Sequence, residues 1–187
     1  MKTITLYRPV GEKEMILILD IESKCFPPRL GWQPIFYPVL NELYAIEIAS
    51  KWNTNDEFGN YLGFVTKFDI TEEEFKKYKV ENVGAAHNNE LWVPSENLDA
   101  FNKAIVGKIE VTKIFKGKEF VKSDDERITE LINDIIRQKN SNLKQLIDDQ
   151  RKLNTNDLLL QIGIEQKKGN IRGDLNFKLI TKKGRQI

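Results

Sequence analysis

Leu62-Gly63-Phe64-Val65-Thr66-Lys67-Phe68-Asp69-Ile70 is the clearest strand in the chain. Leu62, Phe64, Thr66, Phe68 and Ile70 alternate with Gly63, Val65, Lys67 and Asp69, and a period of two places one set on each face of a sheet. The flanking sequence shows what this strand pairs with. Upstream, Ile4, Leu6 and Tyr7 form a first strand that Pro9 and Gly11 should stop, and Met15, Ile16, Leu17, Leu19 and Ile21 suit a buried helix. Phe26-Pro27-Pro28-Arg29-Leu30-Gly31 is a stiff loop, because consecutive prolines fix φ. The loop leads into a short strand, Ile35-Phe36-Tyr37. Asn41 caps a helix that is expected to bury parts of Leu43, Tyr44, Ile46, Ile48 and Trp52. The polar stretch 52–60 then reads as a connection whose composition would also suit a lid.

Downstream, Thr71-Glu72-Glu73-Glu74 has capping-box form and should open a brief helix reaching Tyr78. Val80 and Val83 suit a short strand, Glu90-Leu91-Trp92-Val93 another, and a helical turn from Ser95 reaches Asn102. Ile105, Val106, Ile109, Val111, Ile114 and Phe115 form the last strand region, expected to break at Gly107. Strands with helices interspersed early give an α+β pattern rather than a regular parallel alternation.

Composition divides the chain of 187 residues at about residue 120. Of its eighteen Phe, Tyr and Trp side chains only Phe177 lies beyond Phe120, so the large core-forming groups belong to residues 1–120. Residues 1–120 carry 15 basic and 18 acidic side chains, against 14 and 10 in residues 121–187. We therefore expect an α+β domain over 1–120 and a basic appendage over 121–187. In the appendage, Ser123-Asp124-Asp125-Glu126 opens a helix whose Ile128, Leu131, Ile132, Ile135 and Ile136 fall on one face. Asn140-Ser141-Asn142 should end it, a shorter helix carries Leu143, Leu146 and Ile147, and residues 158–179 read as a β-hairpin or, over 156–166, a helix. This basic end offers a surface for a protein partner or for self-association. It lacks the interleaved aromatics, Phe177 apart, that single-stranded nucleic-acid binding uses.

A single cysteine, Cys25, excludes an intramolecular disulfide and a cysteine metal cluster. No leader-like N-terminus and no run of about 18 apolar residues is evident, which points to a soluble cytoplasmic chain away from membranes. The common phosphate-loop, dinucleotide-fingerprint, serine-hydrolase and zinc-protease patterns are absent. His87, the only histidine, has no Cys or His partner for a metal.

Three segments remain as candidate chemistry. Glu90, at the start of a strand that Pro94 ends, could stabilise positive charge on a sugar carbon or accept from a ribose hydroxyl; a solvated strand-end carboxylate is the alternative. Arg8 could grip phosphate or ribose with its guanidinium fork, or form a salt bridge. Tyr37 and Trp92 could stack on a planar base, or serve as core or rim aromatics.

In order, Leu6-Tyr7-Arg8, then Ile35-Phe36-Tyr37 running into a helix from Leu43, then Asn89-Glu90-Leu91-Trp92-Val93-Pro94 resemble the three motifs of the ADP-ribosyltransferase fold. Residues 4–116 are also similar to a group of small bacterial proteins catalogued as ADP-ribosylation/J-crystallin. The resemblance implies a split, antiparallel-rich sheet with NAD lying across it as substrate and no metal. It further implies Arg8 near the ribose or phosphate, Tyr37 against the nicotinamide, and Glu90 as the catalytic carboxylate of ADP-ribose transfer, with Trp92 expected among the cofactor-binding residues as a stacking aromatic. Asn88 stands where transferases that modify arginine carry a second acid, so the acceptor stays open. The alternative function is a non-enzymatic scaffold acting through the C-terminal helix and basic hairpin.

Overall fold

The computed structural model describes residues 2–150; the expected hairpin and most of the basic end lie outside them. The chain runs β1 (Thr3–Val10), α1 (Glu12–Asp20), β2 (Ile35–Phe36), α2 (Glu42–Lys51), β3 (Leu62–Thr71), α3 (Glu72–Phe75), β4 (Lys79–Asn82), β5 (Asn89–Pro94), α4 (Leu98–Lys103), β6 (Ile105–Lys116) and α5 (Glu126–Gln150). The fold is α+β, and the described residues form two three-stranded antiparallel sheets in the orders β1-β3-β6 and β2-β5-β4.

One residue joins the two sheets. Val39 bridges to Tyr7 on one side and to Glu90 on the other. It exchanges backbone hydrogen bonds of 2.9 and 2.7 Å with Tyr7, while Leu40 N–H donates to Asn89 O at 3.0 Å and Leu91 N–H to Pro38 O at 2.8 Å. Beyond that contact no strand among the described residues pairs with this side of β1, which is why Pro9 does not stop it. The N–H groups of Thr5, Tyr7 and position 9 point away from β3, so the donor that proline lacks would face the unpaired edge. β1 consequently reaches Val10.

β3 is covered on both faces, and its central place explains why Gly63 and Val65 are buried along with Leu62, Phe64 and Phe68. One face packs with Leu6, Met15, Ile18, Phe36, Leu91 and Phe101 in the main core. The other carries α2 through Val39, Tyr44, Ala45, Ala49 and Val65. The helix comes so close that a Cβ on Gly63 would lie 2.1 Å from the Ala49 carbonyl oxygen. Small residues therefore form the contact, and the expectation that Leu43 and Trp52 help to bury α2 is corrected: they are 64% and 58% exposed. The expected cap holds, with Asn41 Oδ1 accepting from Leu43 N–H at 2.8 Å.

Several boundaries differ from expectation for local reasons. Gly107 does not break β6; it sits at φ +84° where the β3 register shifts, so the interruption is a bulge. In the first capping box Thr71 Oγ1 accepts from Glu74 N–H, but the Glu74 carboxylate turns to Lys77 and Tyr78 instead of back to the cap, and α3 ends at Phe75, short of the expected Tyr78. At α5 the capping side chain is Asp125, which accepts from Arg127 N–H at 2.9 Å, whereas Ser123 accepts from Asp125 N–H. Asn140-Ser141-Asn142 does not end α5, which continues to Gln150.

Met1–Ile132 forms one compact unit and Asn133 onward a second. The first turns of α5 belong to the first unit, where fully buried Ile128 and nearly buried Ile132 join the main core. Among the described residues no helix is long and apolar enough to cross a membrane.

Candidate functional site

Successive residues of a strand point to opposite faces of the sheet, and that rule separates the sequence-predicted residues. Tyr7, Val39 and Glu90 lie side by side across the sheets and share the face carrying α2. Arg8, one residue on from Tyr7, points to the other face, where its guanidinium carbon lies 4.5 Å from the centre of the Phe36 ring. Arg8 and Glu90 are therefore on opposite sides of the sheet.

On the α2 face Glu90 has both carboxylate oxygens engaged. Oε1 accepts from the Tyr44 hydroxyl at 3.0 Å and Oε2 from Trp92 Nε1 at 3.2 Å. Burial, then the hydrogen bond and charge of Glu90, push the Tyr44 hydroxyl up to about 12. The Tyr37 ring meets Trp92 edge-on with centroids 5.7 Å apart. Glu90, Tyr37 and Trp92 are thus brought together, at a surface where Trp92 is 41% exposed. His87 lies near, its Nε2 3.8 Å from Glu47 Oε2. Among the described residues no group of three or more His, Cys, Asp or Glu side chains is placed to hold a metal ion.

The opposite face holds a cleft of about 600 Å³ that Arg8 lines and that Glu90, Tyr37 and Trp92 do not. Its walls are α1, the 27–30 loop and the 53–59 loop. Arg8 is 7% exposed and its fork is taken: Nε and Nη2 donate to the two oxygens of Glu14 at 2.7 and 3.1 Å, and Nη1 donates to Tyr37 O at 3.2 Å. This bidentate pair ties the end of β1 to α1. The 53–59 loop is pinned by close backbone contact, since Glu12 N–H donates to Gly59 O at 3.1 Å and a Cβ on Gly11 would lie 2.9 Å from Gly59 Cα. Asp56 accepts from the N–H groups of Phe58 and Gly59, both at 3.1 Å. The turn presents Phe58 outward, with Lys13 Nζ 3.7 Å from its ring centre.

Compared with protein-family models, curated proteins and solved structures, the chain matches none. Its site must be read from its own chemistry.

That chemistry centres on a residue the sequence motifs did not single out. The Arg29 side chain is 12% exposed and lines the cleft. Its Nη1 is 4.0 Å from Glu14 Oε2, and among the described residues its guanidinium makes no hydrogen bond; Nε is buried without a partner. Such an unmet donor costs about 1–3 kcal/mol. Burial and the neighbouring Arg8 charge lower its pKa, while Glu14 and Tyr37 act the other way. The available signal was an arginine fixed directly after Pro27-Pro28. Lys13 and Phe58 carried no signal, because only the fold brings α1 and the 53–59 loop together.

Proposed function

We propose that the Met1–Ile132 unit binds a nucleotide, NAD or a relative of it, in the cleft beside α1. The observation that carries this reading is the cleft's excess of cations facing an apolar wall. Arg8, Lys13 and Arg29 line it against Glu14 and Asp56, and Asp56 is turned into the backbone of its own loop. Ile16, Leu17, Pro27, Pro28 and Leu30 supply apolar surface for a planar ring. A volume of about 600 Å³ suits one small ligand, for which pockets of about 300–1,000 Å³ are typical.

The reading is of binding. ADP-ribose transfer by Glu90 would need that carboxylate beside the ligand, and Glu90 is outside the cleft lining and on the other face of the sheet. Calorimetric titration of the full chain with NAD, ADP-ribose and AMP tests the reading: saturable binding is expected, and it should weaken in Lys13→Ala. Absence of binding by all three at millimolar ligand would remove it.

A further inference from the structure

We infer that Arg29 is the seat for a phosphoryl group of the cleft's ligand, so that the site selects phosphorylated nucleotides over the corresponding nucleosides. This rests on the nucleotide reading above and goes further by assigning the polar end of the ligand to one side chain.

The charge arrangement supplies the first argument. Two guanidinium groups, Arg8 and Arg29, face one carboxylate, Glu14. Arg8 takes both oxygens of that carboxylate at 2.7 and 3.1 Å, leaving Arg29 at 4.0 Å with no hydrogen bond among the described residues. Two guanidinium groups thus share one carboxylate and carry a net positive charge between them, and Arg29 Nε is buried with no hydrogen-bond partner among the described residues, which an incoming acceptor would complete. A phosphoryl group has the charge and the acceptor oxygens to engage a guanidinium fork.

Placement supplies the second. Pro27 and Pro28 fix the backbone leading into Arg29, and the loop closes with Gln33 N–H donating to Leu30 O at 2.7 Å. The backbone that carries Arg29 is restrained before a ligand arrives, so ordering this segment costs little on binding. The cleft's third cation stands apart from the arginines. Lys13 and Glu14 are successive on α1 and project about 100° apart around the helix. Glu14 faces the arginines, whereas Lys13 lies over Phe58, which is 60% exposed. Arg29 and Lys13 thus line the same cleft as separate cations, one without a hydrogen bond among the described residues and the other set over an aromatic ring.

Calorimetry on the full chain with AMP, adenosine and inorganic phosphate separates the outcomes. Wild-type protein is expected to bind AMP at least about tenfold more tightly than adenosine. Arg29→Met should abolish that preference, and Arg29→Lys should restore part of it by returning the charge without the fork. Because the substitution to Met removes an under-bonded buried charge, its melting temperature should equal or exceed wild type. Equal affinity of wild-type protein for AMP and adenosine overturns the inference, as does an AMP preference unchanged in Arg29→Met; either result leaves nucleotide binding intact. Loss of all nucleotide binding in wild-type protein fells the nucleotide reading and the inference together. The wild-type comparison needs no variant, so a poorly folded substitution does not shield the proposal.

Discussion

Arg8 and Glu90 are both charged residues on strands near the junction at Val39, yet the two faces of the sheet give them different work. Arg8 is 7% exposed, clamped bidentately by Glu14 and seated over Phe36. Glu90 lies beside exposed Trp92 and is held by one hydroxyl and one indole N–H. The first charge is part of how β1 and α1 stay together. The second sits at the edge of the smaller core, accepting from the buried Tyr44 hydroxyl, and it can be exchanged for another acceptor without unpacking that core. A one-residue step along β1 separates these roles, since Tyr7 shares the face of Glu90 while Arg8 does not.

The largest test of that contrast removes the arginine. Arg8→Ala removes the bidentate partner of Glu14 and should lower stability by about 2–4 kcal/mol, less than a fully buried pair loses, because Glu14 is 24% exposed and Arg29 stands 4.0 Å from it. Urea unfolding of the full chain measures it through the transition midpoint. A loss below about 1 kcal/mol, the range of exposed pairs, would mean that the Arg8 clamp is not structural, and the contrast would fail.

The sequence showed the strands and their approximate ends more readily than it showed the faces they present. Alternation across 62–70 revealed β3, and Asn41 marked the start of α2 because its side chain caps locally. The burial of Gly63 and Val65 depends on α2 lying over β3, a contact between segments distant in sequence. The same limit governs the site. Tyr37, Trp92 and Glu90 could be grouped from adjacent strands, and they do meet. Grouping Arg8 with them required knowing which way β1 faces at its junction with Val39. The Arg29 cleft depends on three segments, α1 and the 27–30 and 53–59 loops, whose meeting no local motif encodes.

A smaller effect sharpens the Glu90 side. The Tyr44 hydroxyl ordinarily ionises near 10, and in the folded chain burial and Glu90 push it up to about 12. The folded state holds this proton more tightly than the unfolded state does. Its contribution, about 2–3 kcal/mol for a shift of that size, is therefore complete below pH 10 and is lost as pH rises from 10 to about 12. Tyr78, raised by burial and Glu74, acts in the same direction, so wild type must be compared with Tyr44→Phe. Wild type should lose more stability than the variant between about pH 9 and about pH 11.5. Parallel losses would detach the Tyr44 to Glu90 bond from stability.

The smallest expected effect belongs to Glu90→Gln. A glutamine carbonyl can still accept from the Tyr44 hydroxyl or from Trp92 Nε1, so the change in stability should stay below about 1 kcal/mol. Removing the negative charge should nevertheless bring the Tyr44 hydroxyl down toward its ordinary range, since Glu90 raises it by hydrogen bond and by charge. Absorbance titration of the phenolate reads that shift. AMP affinity should be unchanged within about twofold, because no cleft residue is altered. A tenfold loss of AMP affinity would break the contrast between the faces, for it would require Glu90 and the Arg29 cleft to act on one ligand across the sheet.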